Sequence, residues 1–127
     1  MPIAYKILGV AMAGGVGAIV RYGVGGYVTS TFKGPFPWGT VVVNLVGCLL
    51  FGFIVALLPE GSRWHGVRPY LLTGFMGSFT TFSTFMHETQ VLLDQEQYLP
   101  ALGNIAMQNG IGLVALLVGL MIGRALV

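Results

Sequence analysis

Two long stretches without a charged side chain limit how this chain can fold. Residues 34–59 and residues 97–123 contain no Asp, Glu, Lys or Arg. A helix needs about 20 predominantly apolar residues to cross the roughly 30 Å hydrocarbon core of a bilayer, and both stretches exceed that length. Residues 69–87 are also uncharged when His87 is neutral, and residues 7–32 are interrupted only by Arg21. The pattern therefore predicts four membrane-spanning helices.

The composition agrees with a membrane protein. The chain is 55% hydrophobic and only 8% charged, with a mean hydropathy of +0.84, whereas soluble domains carry about 25% charged residues. We predict an all-α fold with spans at about residues 3–28, 38–58, 69–94 and 98–126. These spans leave room for one transmembrane domain, residues 1–127, and no soluble domain. The first span is too long for a signal peptide and is followed by three more.

The distribution of positive charge gives only a weak preference for one orientation. An even number of spans places both termini on the same side of the membrane. Positively charged residues, which favour the cytoplasmic side, occur on both sides: Lys6, Arg63, Arg68 and Arg124 with the termini, and Arg21 and Lys33 opposite.

A polar side chain lies within the second span, in the sequence WGTVVVNLVG. Helical spacing places Thr40, Asn44, Gly47 and Phe51 on one face of that helix. Asn44 is compatible with two interpretations. Its amide could form an interhelical hydrogen bond, or its two N–H donors could face the path of a polar solute or an anion.

The fourth span carries two amides on one face. Asn104 and Gln108 lie four residues apart, and Gly112 continues the same face. Each amide must be satisfied in a dry bilayer, and two on one stripe are harder to explain by packing than one. Packing and a polar pathway both remain possible.

The third span contains the sequence TGFMGSFTTFSTFMHET, residues 73–89, in which hydroxyl groups and glycines are concentrated. Its glycines and the β-branched pair Thr80 and Thr81 weaken a helix, so we predict a break near the middle of this span. Broken backbone at membrane depth is tolerated where protein buries it or where it lines a cavity or an ion site. Phe82 and Phe85 could present ring edges, which carry partial positive charge, although an aromatic stripe is more often packing.

Several classes of function lack their required residues. No carboxylate lies at the centre of a span, as a proton-coupled exporter would need; Glu88, which follows His87, is the nearest. No nucleophile with a base and an orienting group is evident, so the chain is not expected to be an enzyme. The single Cys48 lacks the companions of a metal site and is expected only to pack.

Three segments together resemble the signatures of the Fluc family of fluoride channels. They are GGVGAIVRY in the first span, WGTVVVNLVG in the second and TGFMGSFTTFSTFMHET in the third. The resemblance is strongest over residues 14–88, and the fourth span fits in length and in its polar face. It implies an antiparallel, dual-topology homodimer embedded in the lipid of the cell membrane, with two fluoride pores at the dimer interface and a role in fluoride resistance.

The resemblance also implies roles for individual residues. The backbone carbonyls of Gly77 and Thr80 would hold a structural sodium ion on the dimer axis, and oxygen ligands suit such a hard cation. Arg21 would lie near a pore vestibule or make a structural contact, and Glu88 would lie near a pore mouth. The residues implied to line the pores and meet fluoride are Asn44, Phe82, Ser83, Thr84, Phe85, Asn104 and Gln108.

These observations lead to one predicted function and two alternatives. The predicted function is a passive, fluoride-selective channel that lets fluoride leave the cytoplasm. The first alternative is a proton-coupled exporter of the small multidrug type, which would require a mid-membrane glutamate in the first span. The second is a subunit without transport activity that packs against a larger complex, in which the buried amides would have no solute to meet.

Overall fold

The structure, a computed structural model, describes every residue from Met1 to Val127 and contains helices without any strand. A short 3₁₀ turn, His65–Val67, precedes the third helix. The helices are α1 (Ile3–Thr31), α2 (Trp38–Leu57), α3 (residues 69–79), α4 (Ser83–Asp94) and α5 (Tyr98–Arg124). Helix α3 is π-helical over Pro69–Met76 and α-helical over Gly77–Phe79. Helix α5 contains a π-helical turn at Met107–Ile111.

Three of the helices, α1, α2 and α5, are long and apolar enough to cross a membrane. Residues 69–94 contain the two shorter helices α3 and α4, neither of which has the length of a span. Thr80 lies between them with φ −82° and ψ 157°, an extended conformation that no helix contains. Together the helices form a multi-pass membrane protein.

Helices α2 and α5 form the most extensive contact in the protein, and glycines on both helices allow it. The α-carbon of Gly119 lies against the backbone of Leu49 and Phe53 in α2, and that of Gly52 lies against the backbone of Leu116 in α5. Lipid tails are as apolar as leucine side chains, so helices associate in a bilayer largely through close packing. Gly119 of α5 and Gly52 of α2 thus permit this helix–helix contact.

Helix α1 packs against α3 in the same way. Gly17 lies against the carbonyl group of Phe75, and Gly74 lies against Val10 and Ala13. Below this contact, Val43, Met76 and Phe79 form a small buried cluster between α2 and α3. These contacts fix the position of the chain just before Thr80.

Substitution of Gly119 tests the α2–α5 contact. In Gly119→Ala the new methyl group would overlap the carbonyl oxygen of Leu49, and overpacking of this kind typically costs about 1–3 kcal/mol. We expect a lower melting temperature in detergent, measured by tryptophan fluorescence. Gly103→Ala is the matched control because a methyl group there meets nothing within 4 Å. Equal melting temperatures for the two variants would contradict this account of the contact.

Candidate functional site

The interruption between α3 and α4 is held by a side chain from a neighbouring helix. Asn44, on α2, accepts a hydrogen bond from the backbone N–H of Thr81 through Oδ1 (2.8 Å) and donates one from Nδ2 to the carbonyl of Thr81 (2.9 Å). The amide therefore pairs with both backbone groups of one residue, as a neighbouring strand would. This pairing satisfies polar groups that the helices leave without partners.

The same arrangement frees two backbone carbonyls. In a continuous α-helix the carbonyl of Gly77 would accept from the N–H of Thr81, and that of Thr80 from the N–H of Thr84. The Thr81 N–H instead donates to Asn44, and the Thr84 N–H points to the hydroxyl of Thr81 at 3.4 Å. Gly77 and Thr80 thus keep carbonyl oxygens that can accept from, or coordinate, something else.

A cleft of about 360 Å³ lies beside the interruption, and we call it the amide cleft. It contains four of the residues implied to line a pore, and no charged side chain is part of its wall. At Gly47 the cleft wall is closely packed, because a methyl group there would overlap the side chain of Thr80. The wall consists of Asn44, Gly47, Cys48, Phe51, Thr80, Thr81, Phe82, Phe85, Gln108, Asn109 and Leu116.

Two phenylalanines stand at the edge of the amide cleft in different environments. Phe85 is only 3% exposed, whereas Phe82 is 71% exposed on this chain. Their ring centroids are 5.8 Å apart with an angle of 73° between the planes, so the edge of one ring faces the other. Aromatic rings carry positive charge at the edge and negative charge at the face, so this arrangement of the two rings is a favourable one.

The two amides that helical spacing places on one face of α5, Asn104 and Gln108, have different positions. Gln108 forms part of the wall of the amide cleft and accepts a 2.6 Å hydrogen bond from Asn44. Asn104 is completely buried behind it and accepts from Gln108 at 2.8 Å. Asn109 is exposed and donates to the carbonyl of Ile105 in its own helix.

A second cleft, also about 360 Å³, lies between α1, α2 and α4, and we call it the carboxylate cleft. Arg21, Thr84 and Glu88 all contribute to its wall, together with Thr40. The hydroxyl of Thr40 donates to Oε1 of Glu88 at 2.8 Å, while Oε2 of Glu88 is buried without a hydrogen-bond partner. Thr81 borders both clefts, so both lie beside the same interruption.

The structure thus separates the residues that the sequence groups together. Asn44, Phe82, Phe85 and Gln108 meet at the amide cleft, while Arg21, Thr84 and Glu88 meet at the carboxylate cleft. Ser83 belongs to neither wall and is exposed on this chain.

Some residues of the site have no clear signal in the sequence. Thr89 is 5% exposed and accepts from Asn104 at 3.0 Å, although these residues lie in different helices. Cys48, expected only to pack, is part of the amide-cleft wall. Spacing within one helix reveals which residues share a face, but pairing between helices depends on the crossing of α4 and α5.

Comparison with known proteins gives consistent matches over most of the chain. The family model described as CrcB-like protein, camphor resistance, matches residues 8–120. A protein of Solidesulfovibrio magneticus named fluoride-specific ion channel FluC is 45% identical over 91% of this chain and 93% of its own length. Proteins of the same name from Nitrosococcus oceani and Desulforapulum autotrophicum are 43% and 40% identical, each over 94% of this chain and over 96% and 97% of their own lengths. The chain therefore belongs to the CrcB family of membrane proteins.

Proposed function

We propose that the protein is a fluoride-selective passive ion channel and not an enzyme. The observation that carries this proposal is the amide cleft, an uncharged cleft lined by side-chain amides, threonines and two phenylalanines within an otherwise apolar helical protein. The relatives of this chain are named fluoride-specific ion channels, which supports the same function. Fluoride would leave the cytoplasm through the channel down its electrochemical gradient, and this would confer fluoride resistance.

The chemistry of the amide cleft suits a small, strongly hydrated anion. A pore for fluoride must replace tightly held water with converging donors, and amide and hydroxyl groups can do so. Such groups do not place a full positive charge beside the ion, which would trap it. Conduction requires binding that is favourable enough for entry and weak enough for exit.

The proposed path uses both clefts. Asn44, Phe82, Phe85 and Gln108 would line it at the amide cleft, and Thr84 would line it at the carboxylate cleft, where Arg21 and Glu88 would mark a vestibule or mouth. Ser83 would join the lining from its exposed position, and Asn104 would act from behind the wall. The presence of both Phe82 and Phe85 on the amide-cleft wall supports this assignment, because the positively charged edge of an aromatic ring can attract an anion.

The proposed assembly is an antiparallel, dual-topology homodimer in the cell membrane. In it α3 and α4 form a fourth span broken at Thr80, so that residues 1–127 make one transmembrane domain. Two observations support this assembly. Positive charges lie on both sides of the predicted membrane, and α1 buries only Gly17 and Val28 within one chain, which leaves a long apolar face for a partner or for lipid.

We further propose a structural sodium ion at the dimer axis, held by the carbonyl oxygens of Gly77 and Thr80 from each subunit. The diversion of the Thr81 and Thr84 N–H groups supports this site, since it removes the donors these two carbonyls would otherwise accept from. Four carbonyl oxygens from two subunits would suit a hard cation. The ion would join the two broken helices of the dimer.

The proton-coupled exporter is not favoured. Helix α1 contains no carboxylate at all, although that mechanism needs a titratable group within the membrane. The relatives reported above are named as ion channels, which also favours the channel.

Fluoride release from liposomes tests the proposed function directly. Purified protein in liposomes loaded with potassium fluoride should release fluoride within seconds to minutes of adding a potassium ionophore, as measured by a fluoride electrode. Liposomes loaded with chloride are the selectivity control and should release little. Absence of fluoride release, together with proton-driven uptake of an organic cation, would contradict a channel and favour the exporter.

Substitution of Phe82 tests the role of the ring edges. In Phe82→Ile we expect fluoride release to slow by about two- to tenfold, the range that an aromatic edge interaction is typically worth, with the dimer intact on size-exclusion chromatography. Phe32→Ile is the control, since Phe32 is also exposed and packs near Trp38 away from both clefts. Loss of the dimer in Phe82→Ile would assign the ring a structural role instead.

Removal of sodium tests the proposed ion. Protein that has been dialysed exhaustively against potassium or an organic cation should lose fluoride release, because the carbonyl oxygens of Gly77 and Thr80 would no longer hold sodium. Activity should return when sodium is added back before reconstitution. Full activity in protein shown by elemental analysis to be free of sodium would rule the site out.

A further inference from the structure

A series of hydrogen bonds between side chains begins in α4 and passes into α5, and we call it the chain of amides. The hydroxyl of Thr89 donates to the carbonyl of Phe85 at 2.8 Å, one turn earlier in the same helix. Its oxygen then accepts from Nδ2 of Asn104 at 3.0 Å. Thr89 and Asn104 are 5% and 0% exposed, so water does not compete for these bonds.

The chain continues from α5 to the interruption between α3 and α4. Oδ1 of Asn104 accepts from Nε2 of Gln108 at 2.8 Å, and Oε1 of Gln108 accepts from Nδ2 of Asn44 at 2.6 Å. Asn44 ends the chain on the backbone N–H and carbonyl of Thr81. Three amides in two helices thus link α4 to the interruption.

The two ends determine the direction of every bond in the chain. A backbone carbonyl can only accept, so the Thr89 hydroxyl must donate to Phe85 and present its lone pair to Asn104. At the other end, the N–H of Thr81 can only donate, so Asn44 must present its oxygen there. The orientation of each amide, which is ordinarily assigned from its partners, is therefore determined by backbone groups at both ends.

A count of amide hydrogens then separates Asn44 from Gln108, the two members of the chain of amides that lie on the cleft wall. The third amide on the wall, Asn109, lies outside the chain of amides and donates to Ile105 in its own helix. Both hydrogens on Nδ2 of Asn44 are used, one by the carbonyl of Thr81 and the other by Gln108. Gln108 donates one of its two amide hydrogens to Asn104. Its other amide hydrogen has no acceptor, and Gln108 lies on the wall of the amide cleft. Asn104 does not reach the cleft.

We propose that Gln108 supplies the amide N–H that meets the anion in the amide cleft, and that Thr89 and Asn104 are positioning residues that hold it there. Asn44 holds the interruption closed at Thr81 and binds Gln108 from the other side. The proposal rests on the proposed function, since it takes fluoride as the anion. It assigns different roles to two amides that the resemblance to fluoride channels places together in the pore.

The hydrogen bonds within the chain of amides also make Gln108 a better donor. Its carbonyl oxygen accepts from Asn44, and accepting at the oxygen polarises an amide so that its hydrogens donate more strongly. Because Asn44 holds the oxygen of the Gln108 amide and Asn104 holds one of its hydrogens, the remaining N–H bond points in a fixed direction. A fixed and polarised donor without a full charge meets the requirement for binding that is favourable but readily reversed.

The first experiment is a double-mutant cycle in the liposome assay. Gln108→Met keeps the length of the side chain and removes its donors, and we expect fluoride release to fall about tenfold or more, as for loss of a hydrogen bond to a charged group. Thr89→Val removes the anchor of the chain and should lower release by about threefold, the scale of one neutral hydrogen bond. Thr89→Ser keeps the hydroxyl and should recover most of that loss.

The cycle includes a matched control for the threonine. Thr31 also donates from its hydroxyl to the carbonyl four residues earlier, Tyr27, at 2.9 Å, but it lies outside the chain of amides. Thr31→Val should therefore leave release unchanged. If Thr89 acts through Gln108, the double variant Thr89→Val with Gln108→Met should be no slower than Gln108→Met alone. An undiminished effect of Thr89→Val in the Gln108→Met background would overturn the positioning role.

The second experiment detects binding without flux. Protein labelled with ¹⁵N on its glutamine side chains has four amide signals, from Gln90, Gln95, Gln97 and Gln108, and Gln108→Met identifies the last of them. Sodium fluoride should shift the Gln108 signal, and sodium chloride at the same concentration should not. No shift with fluoride would overturn the proposal even if the liposomes release fluoride. A shift in protein whose liposomes release none would support the donor and refute the channel.

Discussion

A bilayer provides no water to a backbone N–H or carbonyl group, so any interruption of a helix at membrane depth requires partners from the protein. Asn44 provides such partners for Thr81, beside the extended residue between α3 and α4, by pairing with both of its backbone groups. Without that pairing, an extended residue between α3 and α4 would leave polar groups unsatisfied at a cost of several kcal/mol. The carbonyl of Gly77 is left free by this contact, and both clefts border Thr81.

Asn44 can reach Thr81 only because the helices around it approach closely. Helix α2 packs against α5 through Gly52 and Gly119, and α1 packs against α3 through Gly17. Gly47, one turn after Asn44, has no side chain and so leaves room for Thr80. The interruption between α3 and α4 can therefore lie directly against α2. Close packing and hydrogen bonding are therefore not separate sources of stability here, since the glycines set the distances over which the amide can bond.

Sequence patterns predict much of the helical structure. The charge-free stretches locate α1, α2 and α5, whose observed ends at Thr31, Leu57 and Arg124 lie within a few residues of the predicted ones. The excess of glycine and β-branched residues around Thr80 also points to the place where the structure leaves the helical conformation. These features are local, because each depends on the hydropathy or the helix propensity of neighbouring residues.

The partners across helices are not predictable in the same way. Helical spacing identifies a buried face on α5 with Asn104 and Gln108, but nothing in the spacing shows that Thr89 of α4 meets that face. The division of the polar residues between two clefts likewise follows from how α1 and α5 flank α4. Such pairings are set by interhelical crossing and depth, which are properties of the whole bundle.

The chain of amides reconciles two demands that one amide cannot meet. A group that closes an interruption in the membrane must bind the backbone tightly and permanently, because its release would expose unsatisfied polar groups. A group that meets a passing ion must release it easily, or the ion would not leave. Asn44, with every hydrogen used inside the protein, has the properties required for the first task. Gln108, held at both ends but with one hydrogen left over, has those required for the second.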